Sequence, residues 1–432
     1  VRPPTSPLKR SGAAAGTAYS LYVLILLTLV YITNFIDRIV LGILVGPIKA
    51  ELRLSDSQLG LLGGTAFALF YTALGIPVGW WADRANRVRI MAAAVVCWSL
   101  FTALTGAAHG FLTLFLARLG VGVGEAGGVA PAYALIADYF RPAWRARVLG
   151  FYSLGIPIGS ALGYLLGGYL TTAFTWRAAF VLLGVIGVLL SPVLLLTVRE
   201  PERGRYDAAA APRPAPPFAE VWRTLAAKPA FWLLSLGAGC GALMGYGLLF
   251  WLPSFFMRSD GMSVLQVSRL LGALLLLGGV PGILLGSYIA DRVGTRDRRA
   301  YAVVPALAFL CILPCYAFGT ALPMGPAAFV LFLVPAALQL VWLGPVIMAI
   351  QQLVSPTMRS LASAIFLFIV NLLGLGLGAL IIGFASDQLA ARFGSASLRY
   401  AILGGTAFYV LAAGFFLLAA TRLRRDFEPY EA

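Results

Sequence analysis

Four ionisable residues lie inside long apolar stretches of this sequence. Asp37 and Arg38 are adjacent in YVLILLTLVYITNFIDRIVLGILV, and Arg118 and Glu125 share FLTLFLARLGVGVGEAGGVAPAYALIADYF. A charge at the centre of a bilayer costs about 2.5–3.5 kcal/mol on insertion scales, so a helix that served only as an anchor would carry leucine there. These groups must face a protein interior or a wet cavity. The chemistry open to them is proton exchange and anion recognition. A carboxylate changes its proton affinity with solvation and with the distance to an arginine, so a movement that separates the two loads or releases a proton. Arginine stays charged, and its planar fork suits a phosphate or carboxylate headgroup. The expected roles are therefore Asp37 and Glu125 as titrating groups, with Arg38 and Arg118 as counter-ions and anion binders.

Spacing supports a shared site. Arg118 and Glu125 are seven residues apart, close to two helical turns, and project from nearly one face. Arg118 lies roughly 10 Å from one end of its stretch and Asp37 roughly 12 Å from the same side of its own. The matched depths predict an Asp37–Arg118 pair across a cavity, with Arg38 beside it. Glu125 would lie roughly 10 Å further in, near the midplane.

The elements that must position them are membrane helices. Hydrophobic residues make up 60% of the chain and charged residues 11%, where soluble domains carry about 25% charged. Twelve stretches are long enough to cross a bilayer as helices: 20–45, 58–81, 89–108, 111–138, 146–172, 177–198, 230–257, 264–290, 299–320, 325–353, 358–386 and 397–421. The alternation of an outer-membrane barrel is missing. The formal charge of +15 invites a nucleic-acid reading, but the basic residues fall in every second loop. They include Arg84, Arg87 and Arg89, then Arg141, Arg145 and Arg147, the 199–229 connection, Arg292 to Arg299, and Arg422 to Arg425. This is the positive-inside pattern of a multi-pass protein of the cell inner (plasma) membrane with both termini cytoplasmic, and anionic lipid headgroups suffice as the partner of the basic loops. No cleavable signal peptide is recognisable, and residues 1–19 read as a disordered tail. Cys97, Cys240, Cys311 and Cys315 lie in apolar spans at no redox or zinc spacing. His109 stands without companion ligands, so no metal or other cofactor is expected.

The polar, proline-rich segment 199–229 divides the chain into two six-span units, 20–198 and 230–421, with a cytoplasmic tail at 422–432. Each unit repeats one string: GWWADRANRVR follows the second span and GSYIADRVGTRDRR the eighth. Two matched strings imply a transporter built from two related halves. The sequence Gly79-Trp80-Trp81-Ala82-Asp83-Arg84-Ala85-Asn86-Arg87-Val88-Arg89 resembles the loop motif of the major facilitator superfamily, with Asn86 where glycine is usual. That resemblance implies an all-α integral membrane fold of twelve helices in two pseudo-symmetric six-helix bundles, and by family habit a monomer. Gly79 would allow a close helix approach. Asp83, with Arg84 beside it, would cap a helix N-terminus of the other half near Arg359 and Ser360. Arg87 would pair with Asp138. Together they would form a cytoplasmic gate. Gly155, Gly159, Gly163 and Gly167 form a small-residue packing stripe in the fifth span.

Within the superfamily, TNFIDRIVLGILVGPIKAEL, SDSQLGLLGGTAFALFY, RLGVGVGEAG and RARVLGFYSLGIPIGSALG resemble the spinster-like transporters, here a bacterial member. Spinster-like proteins are associated with export of lysolipids, including sphingosine-1-phosphate in animals. By that resemblance the functional residues are Asp37, Arg38, Arg118 and Glu125, and the protein is a proton-coupled, alternating-access carrier of an amphiphilic lipid. A proton-coupled carrier of a small soluble organic anion is the alternative. The spans of the C-terminal half are nearly free of charge and rich in aromatic residues, among which Tyr246 is a candidate for the substrate wall; Gln339 and Asn371 are expected to face the cavity, because an amide against hydrocarbon is costly. An enzyme is not expected: no histidine pair, nucleophile motif or carboxylate metal cluster is present, and no phosphate-binding loop of a nucleotide-driven pump.

Overall fold

The computed structural model describes residues 10–82, 84–203, 205–206, 217–292 and 297–427. Among these, eleven stretches are apolar and long enough to cross a membrane, from Ala18–Ile43 (span one) to Leu361–Leu423. The last is 63 residues long, twice a single crossing. It turns at Gly394, which sits at φ 53°, a conformation that costs glycine little. The turn separates Arg359–Phe393 (span eleven) from Ala407–Asp426 (span twelve). The fold is thus twelve membrane helices in two bundles of six. Phe218–Ala226 adds a short helix inside the connection between the bundles. Span one extends back to Arg10, so residues 10–17 continue a helix where a tail was expected.

Several spans are interrupted near mid-membrane, and the interruptions pair between the halves. Span two (Asp56–Ala82) is broken at Gly64. In the other half, span eight (Val264–Gly286) carries a π-helical turn at Leu275–Gly279. Span four (Phe111–Tyr139) breaks after Glu125, where Gly127 and Gly128 separate Phe111–Glu125 from Val129–Tyr139. Its counterpart, span ten (Pro326–Gln352), breaks between Leu338 and Leu343, around Gln339. Broken helices free backbone groups that only a protein interior or a water-lined cavity can satisfy, so the breaks mark the functional depth of the bundle.

The glycine stripe of span five (Arg147–Ala173) packs as expected. A Cβ at Gly155, Gly159, Gly163 or Gly167 would lie 2.5–2.9 Å from Tyr31, from Ile32 and Phe35, from Ile39 or from Ile43 of span one. This contact fixes span one, and with it Asp37 and Arg38, against its neighbour. Gly79 behaves differently: a Cβ there would meet only Ala130, at 3.8 Å, so no close approach forms at this glycine.

The halves are bonded on the side opposite the basic loops. There Arg258, from span seven (Pro229–Ser259), reaches Asp56 at 2.6 Å. Asp387 of span eleven accepts the Asp56 and Ser57 amides. Tyr164 donates to the Leu249 carbonyl. Nearer the middle, Thr65 donates to the Gly376 carbonyl at 2.6 Å.

Candidate functional site

Span one delivers Arg38 to a buried position beside Glu125. Arg38 Nε lies 2.7 Å from Glu125 Oε2, with side-chain exposures of 8% and 0%. The guanidinium is also flanked by aromatic faces, 5.0 Å from the Phe35 ring centre, 4.8 Å from Phe67 and 4.6 Å from Tyr71. Cation–π contact replaces part of the hydration that burial removes. Glu125 sits at the break of span four, where the helix stops and its side chain meets span one. Among the described residues, its second oxygen, Oε1, and Arg38 Nη2 have no hydrogen-bond partner.

Asp37 occupies a different environment. It is 4% exposed and accepts a hydrogen bond from Thr102 of span three (Arg87–Thr105) at 3.2 Å. Arg118 is 2% exposed and makes no ion pair within 4 Å among the described residues, and its Nε is unpartnered. The ion pair that closes here is Arg38–Glu125, while the expected Asp37–Arg118 pair interacts without reaching contact distance. Adjacent residues on a helix point about 100° apart, so Arg38 turns to Glu125 while Asp37 turns toward Thr102. Phe67 of span two links the two arginines, with the Arg118 guanidinium 5.6 Å from its ring centre.

Both arginines line a cavity between the halves. Its N-terminal wall is Phe35, Arg38, Ile39, Gly63, Phe67 and Arg118; its C-terminal wall is Tyr246, Leu249, Phe250, Leu375 and Ala379. One wall is cationic and the other apolar with a single phenol. Tyr246 is thus placed with the arginines, as expected. Gln339 lines a second cavity, walled mainly by leucines of the C-terminal half with Tyr316, Phe332 and, from the N-terminal half, Tyr164. Leu249 belongs to both cavities. Asn371 does not line either of these two cavities.

At the basic side, Arg87 joins Asp138 at 2.6 Å, as the sequence predicts, and also Glu200 at 2.6 Å. Glu200 accepts the Val88 amide as well, and Arg203 donates to the carbonyls of Ala82 and Ala85 at 3.1 and 2.8 Å. The start of the inter-half connection therefore clasps the loop motif, a contact for which the sequence offered only a charged string. Arg84 lies over Trp80 at 3.9 Å and bonds the Trp80 carbonyl. Asp83 lies outside the described residues.

Comparison with known proteins places this architecture. The model of the Major Facilitator Superfamily matches residues 27–379. The chain belongs to that superfamily. Within it the protein is spinster-like. It is 33% identical to human protein spinster homolog 1, over 85% of this chain and 73% of that one. An MFS-type efflux pump of Mycolicibacterium smegmatis is 34% identical over 93% of this chain and 92% of its own. Among solved structures, a bacterial homolog of the human lysosomal transporter Spinster, inward-facing and unoccupied, superposes with a TM-score of 0.86 at 33% identity, covering 95% of this chain and 99% of that one. This spinster-like protein is a transporter and not an enzyme.

Proposed function

We propose that this transporter moves a single-chain amphiphile with an anionic headgroup, of the lysophospholipid or sphingosine-1-phosphate class, and couples that movement to protons. The observation that carries the reading is Arg118: a buried guanidinium on the wall of an inter-half cavity, with no ion-pair contact within 4 Å among the described residues and an unpartnered Nε. Asp37 and Glu125 act on it electrostatically without touching it, so its fork stays open to the charge-assisted bonds that an anionic ligand supplies. Arg38 provides the second cationic group, the Tyr246 hydroxyl a polar contact, and the leucine-walled cavity across Leu249 a place for a hydrocarbon tail.

Glu125 shares Arg38 with the headgroup. A proton on Glu125 frees Arg38 for the ligand, and the departing ligand restores the Arg38–Glu125 pair. Asp37, held by Thr102, is the second proton site and acts on Arg118 from behind. The basic loops, and with them both termini, lie on the cytoplasmic side of the inner membrane, and a single chain is the working unit. The cavity then opens inward while the opposite face is bonded shut. In the outward state, Asp83, Arg87 and Asp138 would close the cytoplasmic side.

Uptake of a radiolabelled lysophosphatidate into proteoliposomes, with and without an imposed pH gradient, tests the proposal. Gradient-dependent accumulation that a soluble aromatic or sugar acid does not compete away supports it. Transport of the soluble acid, with none of the lipid, would overturn the amphiphile assignment.

A further inference from the structure

Spans two and eleven meet through an exchange of carboxylates that neither the motif nor the cavity explains. Span two begins with a capping box in which the Ser55 hydroxyl accepts the Gln58 amide at 3.1 Å and the Gln58 side chain accepts the Ser55 amide at 2.9 Å. The two amides between them belong to Asp56 and Ser57. They point at Asp387 of span eleven, at 3.0 and 2.7 Å, and the Ser57 hydroxyl adds a third bond at 2.5 Å. A carboxylate from one half thus caps the positive end of a helix in the other. The Asp56 carboxylate, on a residue 2% exposed, is gripped in turn by the Arg258 fork at 2.6 and 2.8 Å. Lys49 at 2.5 Å and the Ser386 hydroxyl at 2.9 Å complete its shell. Backbone packing tightens the same seam: a Cβ at Gly60 would sit 2.9 Å from backbone carbons of Ala379 and Leu380.

We propose that Asp387 and the Asp56–Arg258 pair are the latch that holds the outer face of this transporter shut. At the outer end a carboxylate of span eleven caps span two. Rocking one half against the other to open that face breaks these bonds, so their strength weights the balance toward the state with the outer face closed. Ser57, Asp56, Arg258 and Asp387 are therefore positioning residues that never touch the cargo. This inference rests on the alternating-access reading above.

The test is a distance measurement across the outer mouth. Spin labels are placed at Ala173 and Ala391, both exposed and one in each half, after replacement of the four cysteines. Pulsed electron resonance in lipid nanodiscs then reads the separation. The unaltered latch gives a dominant short distance. Asp387→Asn and Arg258→Gln raise the ratio of long to short separations at least tenfold, equal to about 1.4 kcal/mol. Ser57→Ala raises it less, and Asp387→Glu restores the short distance. Should Asp387→Asn fail to fold, Arg258→Gln and Ser57→Ala carry the test. Folded variants with an unchanged distance distribution overturn the latch. A widened mouth in a protein that binds no anionic amphiphile leaves the latch standing and refutes the cargo assignment instead.

Discussion

Replacing Glu125 by glutamine isolates the competition at the centre of the proposed mechanism. Glu125 is fully buried and Arg38 nearly so, 2.7 Å apart. At about 4 Å two unit charges attract by roughly 4 kcal/mol at the effective dielectric of about 20 that reproduces protein data. Removing one partner of a buried pair typically costs about 3–5 kcal/mol. The glutamine oxygen still accepts from the guanidinium, a charge-assisted bond that recovers about 1.5–3 kcal/mol. The net loss in the empty protein is then about 2 kcal/mol, and Arg38 is left available to a ligand. Anion binding should tighten by that same margin, roughly tenfold to thirtyfold. Calorimetric titration with a single-chain sulfonate, whose head keeps one charge across the range, measures this between about pH 5 and 8. Wild type should bind more tightly as pH falls, because protonated Glu125 no longer competes for Arg38. The Glu125→Gln variant should bind tightly across the range with a shallower profile, the slope that remains belonging to Asp37. A variant that binds no tighter than wild type at high pH and keeps the wild-type slope would refute the competition.

Further outcomes follow from contacts elsewhere. Arg87→Gln leaves Asp138 and Glu200 facing each other without their shared cation, and should lower stability by about 3 kcal/mol; adding Asp138→Asn should recover part of the loss in thermal denaturation. Gly60→Ala forces a methyl against the span-eleven backbone, where no side chain can yield. It should destabilise the outer-closed form by about 1–3 kcal/mol, read as a larger share of long separations between spin labels at Ala173 and Ala391. An unchanged distance distribution would show that the seam at Gly60 is not part of the closure.

The fold was legible because a bilayer imposes strict rules. Span length, the alternation of basic loops and the repeated Ala-Asp-Arg strings were enough to place twelve helices in two halves. Packing was legible where side-chain volume alone decides it, as in the glycine stripe against span one. The Arg87–Asp138 pair was readable because each residue ends its helix on the same side, where few partners compete. Inside the bundle, depth could be counted but rotation could not. Asp37 and Arg38 stand at almost the same depth, and only the rotation of span one decides that Arg38 meets Glu125 while Asp37 meets Thr102. Gln339 and Asn371 were chosen by polarity; the break in span ten puts Gln339 on a second cavity, whereas Asn371 lies in the unbroken helix of span eleven. Partners from opposite halves, such as Asp56 with Arg258 and Ser57 with Asp387, leave no local pattern. The Ser55–Gln58 capping box marked a helix start there, yet nothing in it names the residue that would dock on it.

The central claim is that Arg118 receives the anionic head of the cargo. Its most direct test is binding of two single-chain lipids of equal length, one with a phosphate head and one with an uncharged glycerol head, to wild type and to Arg118→Gln. The account predicts saturable binding of the phosphate lipid to wild type, at least tenfold weaker in the variant, and weak binding of the glycerol lipid to both. Equal binding of the two lipids, or an Arg118→Gln variant that holds the phosphate lipid as well as wild type does, would contradict it.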